Sequence, residues 1–214
     1  QNSPSEMTAE NTYASPYYTN LRVNKLYGGM AQDRTYAQDL SIVWNLNSDC
    51  ELIDGLGSNA TNTSSERGNM NYNMDPGWSK ISGVWDAEYG IIEDANQIIE
   101  GIRSSATLTA GGANQKSMER SLGEALTIRA MVYFDLVRIF GDIPFKVEAS
   151  KSDLSNAYLE KTDRDVIMDF LMNDLDEAIE YLPWADQATG YTTERTTKGY
   201  AHALLAQIAM TRAG

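Results

Sequence analysis

An all-α fold built from helical hairpins is what this 214-residue chain predicts, on three observations. Apolar residues recur at three- and four-residue intervals in long segments from Trp85 onward. Gly141 with Pro144, and Pro183, stand where two of those segments stop. Apolar/polar alternation bounded by hairpin turns, the mark of strands, is nearly absent. With 42% apolar residues the chain can bury a core as one domain, or as one large piece of something longer.

The elements follow in order. Ser15 and Pro16 form an N-cap and first-turn pair, with Leu21, Leu26, Tyr27 and Met30 behind them before Gly28 and Gly29 weaken the end. A second segment, Tyr36 to Leu46, puts Leu40, Val43 and Trp44 on one side. Residues 47–83, "NSDCELIDGLGSNATNTSSERGNMNYNMDPGWSKISG", are rich in Asn, Ser, Gly and Thr without a sustained period, and predict a long polar loop punctuated by aromatics.

From Trp85 the helical period returns. Trp85, Tyr89, Ile92, Asn96, Ile99 and Arg103 make one stripe, with Ile91, Ala95, Ile98 and Ile102 beside it. "SSATLTAGGANQK" reads as a flexible connector, and the next helix runs from about Ser117 to Phe140, stopped by Gly141 and Pro144. Thr162 and Asp165 resemble a capping box for a helix that carries Ile167, Leu171, Leu175 and Ile179 and ends at Pro183. The last helix starts near Thr196 or Thr197 and carries Ala201, Leu204 and Ile208.

These later helices pair as 85–103 with 117–140 and 163–182 with 196–213. Recurring hairpins of this kind suggest a solenoid of tetratricopeptide type, in which each hairpin covers its neighbour's apolar face. Ala130 and Phe134 fit the A-x-x-x-F element of such repeats. A single region from 1 to 214 is therefore expected, with helices and a polar loop over 1–84 and two helix pairs over 85–214.

Helix 117–140 is apolar over most of its girth, with Glu124, Thr127, Asp135, Arg138 and Asp142 as its polar seam. Arg129 interrupts an apolar stripe. A buried guanidinium must be paired, so Arg129 is expected to meet a carboxylate of a neighbouring helix, Asp94 or Asp174; anion capture from solvent is the alternative. Arg129, Asp135, Arg138 and Phe140 are expected to be structural.

Several functions are disfavoured. With 30 Asp and Glu against 17 Lys and Arg, the chain would repel a phosphate backbone, so nucleic acid is not an expected partner. One cysteine, Cys50, and one histidine, His202, cannot form a Cys/His zinc site, and His202 is expected to pack between helices. Asp49, Glu51 and Asp54 are spaced closely enough for calcium but lack the rest of an EF-hand loop, so a solvated acidic loop is expected and no cofactor. No phosphate loop is present, and no nucleophile and base stand in a recognisable pattern. No enzyme is expected. The N-terminal "QNSPSEMTAEN" has neither a signal peptide's pattern nor a lipidated cysteine, and no apolar run is long enough to span a bilayer.

The segment "GEALTIRAMVYFDLVRIFGDIPF" resembles the signature stretch of the SusD/RagB family, with Gly123 for the usual Ala and Ile128 for Leu. "WDAEYGIIEDANQIIEGI", "VIMDFLMNDLDEAIEYLP" and "TTKGYAHALLAQIAMTRAG" resemble three further family helices, in order. The first 84 residues match only loosely, through "NSDCE". The resemblance implies a non-catalytic glycan-binding lipoprotein, surface-exposed on the outer membrane of Bacteroidetes-type bacteria and held there by an N-terminal lipid anchor absent from this chain. It also implies delivery of the glycan to a SusC-type TonB-dependent transporter. A tetratricopeptide protein-interaction scaffold and a peptide-binding family member are the alternatives. The chain looks like an N-terminal half.

For glycan capture, exposed aromatic faces must stack on sugar C–H surfaces while polar groups meet hydroxyls. The polar loop offers Tyr72, Asn73, Asp75 and Trp78, with Arg67 and Asn69 upstream, and Tyr191 is a second aromatic choice. Trp78 is read as a platform or as a loop anchor. Trp44 and Trp85 are read as core.

Overall fold

A computed structural model of the chain describes residues 8–45, 69, 75–187 and 192–214. Backbone proximity divides the chain into two compact units, Gln1–Leu26 with Ile91–Gly214, and Tyr27–Gly90. The described elements are α1 (Ala9–Ala14), α2 (Pro16–Met30), α3 (Asp39–Asn45), α4 (Ser79–Arg103), a 3-10 turn at Ala106–Thr109, α5 (Gly112–Phe140), β1 (Ile143–Pro144), β2 (Lys161–Thr162), α6 (Arg164–Tyr181) and α7 (Lys198–Ala213). The all-α expectation holds, the one sheet among the described residues being a two-residue antiparallel ladder that pairs Ile143 with Thr162.

In the larger unit, α5 is the central element. Every residue from Ser121 to Val137 is buried. Its two apolar stripes therefore meet neighbours on opposite sides, as a helix apolar around most of its girth requires. The polar seam is not solvated as its composition suggests: Glu124, Thr127 and Asp135 are buried, each with a hydrogen-bond partner. The Arg195 guanidinium donates to Glu124 at 2.9 Å, the Thr127 hydroxyl to the Gly123 carbonyl at 2.7 Å, and Arg138 pairs with Asp135 at 2.5 Å. Arg138 also lies 4.5 Å from the Phe134 ring centroid, while Phe140 is half-buried at the helix end.

α6 packs on α5 and α7 on α6, with Ile167, Leu171, Leu175 and Ala178 buried from α6 and Ala201, Leu204 and Ile208 from α7. Gly123 permits the close approach of α5 to α6: a Cβ there would stand 2.9 Å from Leu182 Cγ and 3.2 Å from the Ala178 carbonyl oxygen. The Thr197 hydroxyl caps α7 by accepting from the Tyr200 N–H at 3.2 Å. Gly141 ends α5 in the left-handed region at φ 74°, its N–H donating to the Val137 carbonyl at 2.9 Å.

Several sequence boundaries move. α5 begins at Gly112 rather than Ser117, and the supposed connector before it holds the 3-10 turn, capped by the Ser105 hydroxyl. The cap of α6 is Asp163, not Thr162: its carboxylate accepts from the Asp165 N–H at 2.8 Å, and Thr162 is engaged in the ladder. On α2 the buried face is Thr19, Val23 and Leu26, while Leu21 is exposed.

In the smaller unit, α3 starts at Asp39 rather than Tyr36. Residues 31–38 form turns in which the buried Thr35 hydroxyl donates to the Met30 carbonyl at 2.7 Å. α4 begins at Ser79 instead of Trp85, and Lys80 in its first turn pairs with Asp39 at 2.8 Å. That ion pair, together with Arg34 lying over Gly83, supports a helical turn that Ser, Gly and Lys would not specify alone. Trp44 and Trp85 are half-buried rather than core, and Trp85 rests against Tyr89 with ring centroids 4.8 Å apart.

Candidate functional site

Arg129 is not a solvent-facing anion receptor. It is 2% exposed and holds Asp174 with two bonds, Nε to Oδ2 at 2.8 Å and Nη2 to Oδ1 at 2.9 Å. Asp94, the other expected partner, pairs instead with Lys25 at 2.7 Å. The remaining Arg129 edge donates to Asn96 Oδ1 at 2.8 Å and to the Val147 carbonyl at 3.2 Å. Asn96 in turn donates to the Lys146 carbonyl at 3.0 Å, and the Tyr133 hydroxyl meets the same carbonyl at 2.7 Å. Burial pushes the Asp174 carboxyl upward, with the Arg129 guanidinium opposing it, and burial likewise raises Tyr133. The network fastens the segment after α5 across three helices, a structural task.

Beside it, Glu93 of α4 holds residues 146–150. Its carboxylate accepts from the Ser150 N–H at 2.9 Å, the Ser150 hydroxyl at 2.8 Å, Lys146 at 3.1 Å and Gln97 at 3.0 Å. Burial alone would raise this carboxyl, but the donors outweigh it and hold it down at about 2. Since the folded value lies below the unfolded one near 4.5, the stabilisation is present above that unfolded value. It is lost as pH falls through the folded one. Urea unfolding of the wild type should lose about 1 kcal/mol, and at most about 2, between neutral pH and pH about 3 through this group, the lower figure allowing for its partial exposure. Glu93→Gln should be less stable at neutral pH and show less of that acid dependence.

The same 146–150 segment borders an open cleft of about 1000 Å³ in the larger unit. One wall is α2, where Tyr18, Leu21 and Arg22 share a face at helical spacing. The facing wall is the end of α4, with Gln97, Glu100 and Gly101 at the same kind of spacing and Ser104 just beyond it, and its floor includes Tyr13. Arg22 bridges the walls, its Nη2 donating to Gln97 Oε1 at 3.2 Å. Burial raises the Tyr13 hydroxyl, with Arg22 opposing. Tyr18 is 40% and Leu21 47% exposed. Tyr18 and Tyr17 pack in a T-shape, their ring centroids 5.3 Å apart. Gly101 is required here, because a Cβ would stand 2.2 Å from the Tyr13 ring. In the sequence this polar face of α4, Gln97, Glu100 and Gly101, is masked by the stronger period of the apolar stripe beside it.

Of the loop residues expected to bind ligand, Tyr72, Asn73 and Arg67 lie outside the described residues, as do Tyr191, Cys50 and the calcium candidates Asp49, Glu51 and Asp54. Of the two readings of Trp78, platform or loop anchor, its burial favours the anchor. It is 8% exposed, so it offers a sugar no open face. Its N–H donates to the Asp75 carbonyl at 2.9 Å and its carbonyl accepts from the Ile81 N–H at 3.0 Å, which closes the loop onto α4. Asp75 uses its carboxylate within the same turn, accepting from the Gly77 N–H at 2.7 Å, and its own N–H donates to Asn69 Oδ1 at 2.6 Å. His202 is exposed rather than packed between helices, its ring stacked with Trp184 at 5.9 Å. Among the described residues no three of His, Cys, Asp and Glu gather to hold a metal ion, and no helix is long and apolar enough to cross a membrane.

A sequence model of the SusD-like family, described as starch-binding and associating with the outer membrane, matches residues 4–210. The chain belongs to the SusD-like family. The SusD-like protein P2 of Formosa agariphila is 30% identical over 192 residues, 89% of this chain and 35% of that protein. A SusD-like protein of Bacteroides ovatus is 26% identical over 134 residues, 63% of this chain and 23% of that protein. The solved structure of a SusD homologue from Bacteroides thetaiotaomicron superposes with a TM-score of 0.84 at 26% identity, covering 96% of this chain and 38% of that one. A surface glycan-binding protein A from Bacteroides fluxus shares the fold, with a TM-score of 0.72 at 20% identity, over 94% of this chain and 41% of that one. This chain thus spans little more than a third of the length of the first of these relatives.

Proposed function

We propose that this SusD-like chain belongs to a non-catalytic, lipid-anchored protein on the bacterial surface that captures oligo- or polysaccharide and passes it to a SusC-type TonB-dependent outer-membrane transporter. The match of residues 4–210 to a family described as starch-binding and associating with the outer membrane carries the reading. The chain's chemistry agrees with it. Its charge of −13 disfavours nucleic acid, and its buried Arg129–Asp174 and Glu124–Arg195 pairs hold neighbouring segments together. The open cleft, with a tyrosine on one wall and Arg22 and Glu100 within reach, has the mixed apolar and polar lining that a sugar needs.

Delivery is tested by affinity purification of the full-length protein from its native membrane. Co-purification of a TonB-dependent transporter, with the protein accessible to protease on intact cells, is the expected result. Recovery without any transporter, or protection from the protease, would contradict the surface-delivery reading.

A further inference from the structure

We infer that the cleft between α2 and α4 is a binding subsite for a neutral glycan, with the Tyr18 ring as its stacking platform; this rests on the glycan-binding reading above. Three features of the cleft carry the assignment. Its shape is open and its volume is about 1000 Å³, at the upper end of the range of small-molecule sites, so it admits a segment of a longer chain and not only a terminal sugar. Its lining is divided by chemistry: Tyr18 and Leu21 give an apolar strip along α2, while Arg22, Glu100 and Ser104 bring donors and acceptors. A pyranose has the same division, with C–H faces above and below and hydroxyls around the rim.

The positioning is also built in. The Tyr18 and Tyr17 rings pack in a T-shape with centroids 5.3 Å apart, so the Tyr18 ring has less freedom than an isolated surface tyrosine. Gln97 is held by Glu93 and accepts from Arg22, which fixes the guanidinium across the cleft. A guanidinium carries five N–H donors, more than its contacts with Gln97 and Tyr13 use, so Arg22 can still donate to sugar hydroxyls.

Charge selects the class. Among the described residues that line the cleft, Glu10 and Glu100 stand against a single cation, Arg22, within a chain whose net charge is −13. Uronate-rich and sulfated glycans would be repelled there. Neutral ones would not.

The test is affinity electrophoresis of the full-length protein in gels containing a neutral polysaccharide (amylopectin, xyloglucan, galactomannan or mixed-linkage glucan) or an anionic one (polygalacturonate or alginate). At least one neutral polysaccharide should retard the wild type, and the anionic ones should not. For the best neutral ligand, Tyr18→Ala should weaken binding about tenfold or more, the equivalent of one lost stacking contact. Tyr18→Phe should stay within about threefold of the wild type, because the ring and not the hydroxyl stacks. Leu21→Glu, a second exposed change on the same wall, should also weaken binding. Trp184→Ala, an exposed indole outside the cleft, should leave it unchanged.

Normal binding by both folded Tyr18→Ala and folded Leu21→Glu would overturn the subsite while leaving glycan binding in place. Tighter retention by anionic polysaccharides would overturn the neutral class. A wild type retarded by no polysaccharide would overturn this inference and the glycan-binding reading together.

Discussion

Arg129→Met should lower stability by about 3–5 kcal/mol and leave glycan affinity in the folded fraction unchanged. The variant keeps Asp174 buried at 5% exposure and removes the guanidinium that satisfies both its oxygens. It also takes a donor from Asn96 and from the Val147 carbonyl. Methionine fills much of the volume, so the loss is electrostatic rather than a cavity. Changing both partners, Arg129→Met with Asp174→Leu, should recover a large part of the loss, because a buried ion pair replaced by apolar groups is often nearly neutral. Urea denaturation with an affinity measurement on the folded fraction reads both. A wild-type unfolding curve with lost binding would return Arg129 to the ligand.

The second large effect is at Gly101. A methyl group there would stand 2.2 Å from Cδ2 and Cε2 of Tyr13, a side chain only 6% exposed. Gly101→Ala should therefore displace Tyr13, destabilise the fold by about 1–3 kcal/mol and disturb the floor of the cleft. The helix-propensity gain of alanine, about 1 kcal/mol, works in the opposite direction and is outweighed. A double-mutant cycle isolates the clash: Gly101→Ala should cost much less in a Tyr13→Ala background. Equal costs in both backgrounds would mean that the ring moves aside freely.

The central helix was largely legible in the sequence because its information is local. Two apolar stripes with one interrupting arginine allow few arrangements: the helix must be enclosed, and the arginine must find a carboxylate. Choosing Asp174 over Asp94 was not local, since Lys25 of α2, remote in sequence, holds Asp94. The starts of α4 and α5 were hidden for a related reason. Ser79 to Gly83 becomes helical with Lys80 held by Asp39, and α5 opens on Gly111 and Gly112 at positive φ, where propensity argues against a helix.

The cleft shows the same limit. Each wall is a readable helical face, but nothing in either sequence says that α2 stands opposite the second half of α4. The polar loop drew attention because aromatics amid Asn and Gly look like a binding surface. Trp78 shows why that signal is ambiguous: its backbone closes a turn into the start of α4 while its side chain is buried.

Glycan capture without chemistry is tested most directly by incubating the full-length protein with the neutral polysaccharide panel and following two quantities together, retardation in the gel and the appearance of new reducing ends. Saturable retardation by at least one polysaccharide, with the reducing-end count unchanged over hours, is the expected result. Failure to bind any of them, or cleavage of the one that binds, would contradict it.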